Sequence, residues 1–293
     1  MCLRTIIAIS FLLVSADARG QGLPRAEAAD VGMSATALER LGATLDGAVD
    51  AGRLPGGVLL VARDGRVVWY DAFGMRDREA RAPMREDAIF RIASQTKALI
   101  SVAVMMLQEE GALLITDPVS EYLPAFAHTT VAVARDSGGY DVVDATRPIT
   151  IRDLLTHTAG IGYGGGVASD RWQDAGITGW YFAHRSEPIG ETVARMAELP
   201  FDAQPGESFV YGYSTDILGA LIERVSGQPL NAFLRERITG PLGMTDTRFY
   251  LDASQRDRLA VVYSVAENGT LERAPDVSAM VGQGEYVDGP RTS

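Results

Sequence analysis

A chain of 293 residues that is 46% hydrophobic and 22% charged carries enough apolar surface for one large core, which excludes disorder over most of its length. A formal charge of −11 repels phosphate backbones, and no run of Lys and Arg overrides it, so nucleic acid is excluded as a partner. The single cysteine, Cys2, leaves no disulfide framework and no thiolate metal site.

In chain order, Arg4, an apolar run over 5–16 and the small residues around Ala16 and Ala18 read as a signal peptide over residues 1–20. The expected product is periplasmic or secreted, with residues 21–293 as its remaining domain. No later apolar run reaches transmembrane length, so no stable membrane insertion is expected after signal cleavage. Residues 33–52 predict a helix, with Ser34 as cap and Leu38, Leu41, Leu45 and Val49 at helical spacing. Residues 58–63 and 67–73 predict two strands joined by Asp64-Gly65, a hairpin signal. Residues 89–93 read as extended, and a helix follows over 95–110, apolar enough to be buried on most sides and ended by Gly111.

Farther along, residues 149–157 predict a short helix, and 160–166 a glycine-rich stretch. Gly162 to Gly166 lacks the lysine and the strand–helix setting of a phosphate loop, so a flexible loop is expected. Trp172, Trp180, Tyr181 and Phe182 fit a substrate entrance and plain core equally well. Pro205-Gly206 is a turn, 209–213 an extended segment, and 216–225 a helix ended by Gly227. Residues 230–238 predict another helix, and 261–265 a weak strand. A two-stranded hairpin does not stand alone in water, so further strands are expected and few are on offer.

The chemistry centres on Ser94-Gln95-Thr96-Lys97. Lys97 is the only lysine among 27 basic residues. Arginine serves wherever charge is enough, whereas a buried lysine can lose its proton. At a helix start, positions i and i+3 share a face, so the Ser94 hydroxyl and the Lys97 amine can meet. A lysine whose pKa is depressed by burial and by the positive helix end could take the serine proton. The same helix end offers an N–H to an oxyanion. Against this stands the plainer reading of Ser94 as a helix cap. His128, His157 and His184 are far apart and show no His-Glu-x-x-His pattern, so no metal site is expected.

Phe90 to Lys97, running on through 106–111, 117–119 and 122–124, closely resembles the class C β-lactamase-like serine hydrolases, a family of β-lactamases, D-alanyl-D-alanine carboxypeptidases and esterases. Further blocks match in order: 151–160, Pro205-Gly206, Leu218-Gly219, 225–227 and 241–244. The resemblance implies an α/β sandwich, with an antiparallel sheet flanked by helices plus an all-helical region. It implies a covalent acyl-enzyme on Ser94 and small-molecule ester, amide or β-lactam substrates, with no cofactor. The family's Tyr-x-Asn motif matches Tyr211, with Tyr213 in the place of asparagine, which favours an esterase-like member. Tyr213 followed by Ser214 is the rival register. A third family motif, on a strand near the C-terminus, is not found, so the expectation is a C-terminally truncated domain lacking those strands. A non-catalytic binding or sensing descendant is the alternative.

Overall fold

A computed structural model describes residues 22–184 and 187–275. The signal segment, Cys2, the side chain of His184 and everything after residue 275 lie outside the described residues.

Helix α1 (Ala35–Asp50) begins where Ser34 accepts the Ala37 N–H at 3.2 Å. It lies across a hairpin of β1 (Gly56–Arg63) and β2 (Arg66–Asp77), with Gly42 against the Trp69 indole. The hairpin is in register from Gly56 opposite Gly74 to Arg63 opposite Arg66, with a bulge at Val61/Ala62. A short β3 (Ala82–Pro83) extends the sheet on the β2 side, giving the order β1-β2-β3.

Helix α2 (Thr96–Glu109) starts the helical region. Two further antiparallel strands, β4 (Thr130–Ala134) and β5 (Tyr140–Asp144), form a second hairpin that the sequence reading missed. Then come α3 (Ile151–Leu155), α4 (Ser169–Asp174), α5 (Ile189–Met196), α6 (Ser214–Ser226) and α7 (Leu230–Leu234). The α7 helix runs on into a wide turn over Arg235–Thr239. A last short helix, α8 (Ala253–Arg256), precedes the hairpin of β6 (Tyr263–Val265) and β7 (Leu271–Arg273). This hairpin is tied to the first sheet through Tyr263, which donates to Glu79 at 2.6 Å, and through Arg273, 3.3 Å from Asp77. The weak 261–265 signal is therefore a real strand with a local partner. The architecture is mixed α/β, with antiparallel strands and flanking helices.

One continuous apolar core is built from α2, α3, α5, α6 and α7, closed by Phe126, Trp172 and Phe201. Phe201 also ties the second hairpin to the core, because its backbone pairs with Thr130 and Ala132 at 2.8 Å. Residues 209–213, read as extended, have no strand partner; Val210 N–H donates to the His157 carbonyl instead. One expectation needs correction: α2 is not buried on most sides. Ile100, Ala103, Val104 and Leu107 enter the core, whereas Val102 is 49% and Met105 40% exposed.

Candidate active site

The chain approaches Ser94 through Ala93, which sits in the left-handed region at φ 42°. A non-glycine residue there is strained, and such strain persists where the surroundings over-determine it. A tight turn over Ala93–Gln95 then feeds directly into α2. That geometry exposes the Ser94 hydroxyl and brings Lys97 back beneath it: Nζ donates to Oγ at 3.2 Å. The third member arrives from 117 residues away. Tyr211 donates its hydroxyl to Ser94 Oγ at 2.8 Å, and its ring lies 4.8 Å from Lys97 Nζ.

What holds Tyr211 is a wall built by α3. Thr150 caps that helix, and Asp153 accepts two hydrogen bonds from Arg147, at 2.7 and 2.9 Å. Just past the helix end stands His157, itself left-handed at φ 56°. The His157 carbonyl accepts the Val210 N–H at 2.8 Å, and its ring packs tilted against that of Tyr211, with centroids 4.7 Å apart. On the other side stands Tyr163, edge-on to Tyr211 with ring centroids 5.8 Å apart.

The two tyrosines of the ambiguous motif have different surroundings. Tyr211 is 43% exposed and touches Ser94. Tyr213 is 1% exposed, stacks on Trp172, and donates to the Gly179 carbonyl at 2.8 Å. Of the aromatic cluster, Trp172 and Tyr181 are buried core, Phe182 is half-buried and Trp180 stays exposed.

The proton balance reverses one expectation. Burial alone pushes the Lys97 ammonium down, but hydrogen bonding with Tyr211 and the fields of Tyr163, Tyr211 and Asp216 outweigh it, and the net direction is upward. Tyr211 moves the other way. Its hydrogen bonds with Ser94 and then Lys97 hold the phenol below its usual value. The lysine is thus kept charged, and the tyrosine is the group brought closer to losing its proton. Sequence reasoning missed two neighbours, Tyr163 and Asp216; His157, which the family resemblance makes a structural or supporting residue, stands as a wall of the site. Burial pushes the Asp216 carboxyl up to about 7. A polar side chain in the first turn of a helix that opens beside the motif tyrosine was the available signal for Asp216.

Among the described residues, no three His, Cys, Asp or Glu side chains converge as a metal site. No helix among them is long and apolar enough to cross a membrane. A cavity of about 360 Å³ lies against another side of α2, lined by Ile92, Leu99, Leu234, Met244 and Phe249. Ser94, Lys97 and Tyr211 do not line it.

Comparison with known proteins places these features. The chain is 37% identical over 235 residues to esterase EstB of Burkholderia gladioli, covering 78% of this chain and 55% of EstB. Its fold is similar to EstCE1, a hydrolase with promiscuous acyltransferase activity, at TM-score 0.69 and 31% identity, covering 85% of this chain and 63% of that one. It is similar also to simvastatin synthase (LovD) from Aspergillus terreus, at TM-score 0.69 and 27% identity, covering 82% of this chain and 60% of that one. The chain spans about half the length of the curated relatives it matches. Residues 41–286 match the Beta-lactamase family, and the chain belongs to it.

Proposed function

We propose that the chain is a serine hydrolase that forms a covalent acyl-enzyme on Ser94 from small-molecule esters, with activity toward amides and β-lactams secondary. The single observation that carries this reading is the Ser94 hydroxyl held at 2.8 Å from Tyr211 and 3.2 Å from Lys97.

In this mechanism Tyr211, its pKa lowered by Ser94 and Lys97, takes the Ser94 proton as Oγ attacks the ester carbonyl. Lys97 stays an ammonium and steadies the phenolate. The turn into α2 offers the Ser94 backbone N–H to the developing oxyanion. Collapse expels the alcohol, which takes the proton back from Tyr211. Water, deprotonated by the same tyrosine, then releases the acid and restores Ser94; an alcohol in its place would complete an acyl transfer. Tyr213 standing where the family motif has asparagine favours esters over substrates with an amide side chain. With residues 1–20 as a signal peptide and 21–293 as the hydrolase domain, the reaction belongs outside the cytoplasm.

The test is a fluorophosphonate probe and a chromogenic ester, with a chromogenic cephalosporin in parallel. Labelling and ester turnover are expected in the parent and lost in Ser94→Ala. Tyr211→Phe should slow turnover by roughly 10²- to 10⁴-fold, the usual contribution of a positioned acid–base group. A cooperatively folded chain that takes no label would instead identify a binding or sensing member that keeps the fold.

A further inference from the structure

We propose that Asp202 is a positioning residue for the Ser94 centre: its carboxylate is the peg around which residues 160–166 are wound, and that winding sets Tyr163 against Lys97. This rests on the hydrolase reading above.

Asp202 follows Phe201, whose backbone is fixed to β4. Its N–H donates to the Gly160 carbonyl at 2.8 Å, and its carboxylate takes the backbone N–H of Gly162. The two carboxylate oxygens occupy the space that side chains would need at two loop positions. A Cβ on Gly162 would fall inside van der Waals contact of Oδ2, and one on Gly166 inside contact of Oδ1. The other even-numbered positions are closed as well. A Cβ on Gly160 would strike the Ala203 carbonyl, and one on Gly164 would lie 2.8 Å from the Ile177 carbonyl oxygen. Gly165, between them, has open space around it. The stretch expected to be a flexible loop is therefore packed, and glycine is needed at four alternate positions for want of room.

Tyr163 is an odd-numbered member of this stretch and meets the catalytic groups. Its ring is 4.9 Å from Tyr213 and 5.8 Å from Tyr211, and its hydroxyl lies close enough to Lys97 for each to act electrostatically on the other. The same stretch touches the tyrosine segment directly, because a Cβ on Gly212 would strike the Ile161 carbonyl. A shift at Asp202 thus reaches Tyr163 and Tyr211 together. Among the described residues no arginine pairs with Asp202, and burial holds its carboxyl above the usual range. Even half-buried, a carboxylate without a cation carries a desolvation cost. A carboxylate nonetheless suits this place because it accepts the Gly162 N–H, which an alkyl side chain of similar size would leave unpaired.

The experiment compares the parent with Asp202→Ala, Asp202→Asn, Gly166→Ala and the Asp202→Ala/Gly166→Ala pair, with Ser94→Ala alongside. Two readouts are followed: ester kinetics, and the phenolate absorbance titration of Tyr211, identified by its loss in Tyr211→Phe. Asp202→Ala is expected to lower kcat on the order of tenfold, with KM nearly unchanged, and to raise the Tyr211 titration toward the ordinary tyrosine value. Asp202→Asn keeps the shape and should recover most of both. Gly166→Ala should be as harmful alone, and the pair less harmful than the two losses combined, since the new methyl fills the space the carboxylate leaves. Parent-like kcat and titration in folded Asp202→Ala, or simple additivity in the pair, would overturn the proposal. If Ser94→Ala keeps ester activity, the hydrolase reading fails instead. The titration decides the role of Asp202 even in a chain that does not turn over.

Discussion

The helical region and the first hairpin differ sharply in what they bury. Along α6, Ile217 to Ile222 are all buried, and Phe201 packs between Phe126 and Trp172 with ring centroids 6.5 Å away on each side. Of the residues in β1 and β2, only Val67 is buried, and Leu60 is 53% exposed. The strands obey the alternation and turn rules of a good hairpin, yet among the described residues no second layer covers their other face. Local pattern is enough to shape a strand; only packing makes it contribute to stability.

Phe201→Ala should expose this contrast most strongly. It removes a large buried ring and should cost about 3–5 kcal/mol, read as a lowered denaturation midpoint. An effect below 1 kcal/mol would mean that the helical region is not the stable half. Next comes acid. Despite burial, which opposes ionisation, the hydrogen bonds from Arg147 and Thr150 hold the Asp153 carboxyl down from 3.8 to about 2. Its folded pKa is depressed, so its contribution is complete above pH 4 and is lost as pH falls through that value toward 2. That contribution is about 2 kcal/mol, and Asp153→Asn should abolish the corresponding part of the acid slope in melting temperature. Val67→Ala, at the one buried hairpin position, should cost about 1 kcal/mol. Leu60→Ser should change stability by less than about 0.5 kcal/mol while improving solubility, measured by light scattering.

Many of the helices were legible in the sequence because their signals are local. Ser34, Gly111 and Gly227 mark helix ends where expected, and Ser94 and Lys97 meet because helix geometry makes them meet. The β4–β5 hairpin was not legible: Val131 and Ala132 are its only buried residues, too few to imprint a pattern. Tyr211 and Tyr213 are two residues apart and chemically alike, so only tertiary packing separates the one against Ser94 from the one beneath it. The direction of the Lys97 shift escaped for the same reason. Helix position and burial, the two local effects, both lower it; the oxygens that raise it come from residues 163, 211 and 216. Asp202 escaped because no motif announces a carboxylate whose partners are missing side chains.

The contact between Tyr211 and Ser94 closes a loop of 117 residues. Holding its two ends together costs about 4 kcal/mol of chain entropy, more than one hydrogen bond returns. Reactivity at Ser94 therefore has to be underwritten by the helices in between, and it should vanish before the bulk of the secondary structure melts. A covalent probe of that serine, followed during heating, would act as a gauge of how tightly the middle of the chain is assembled.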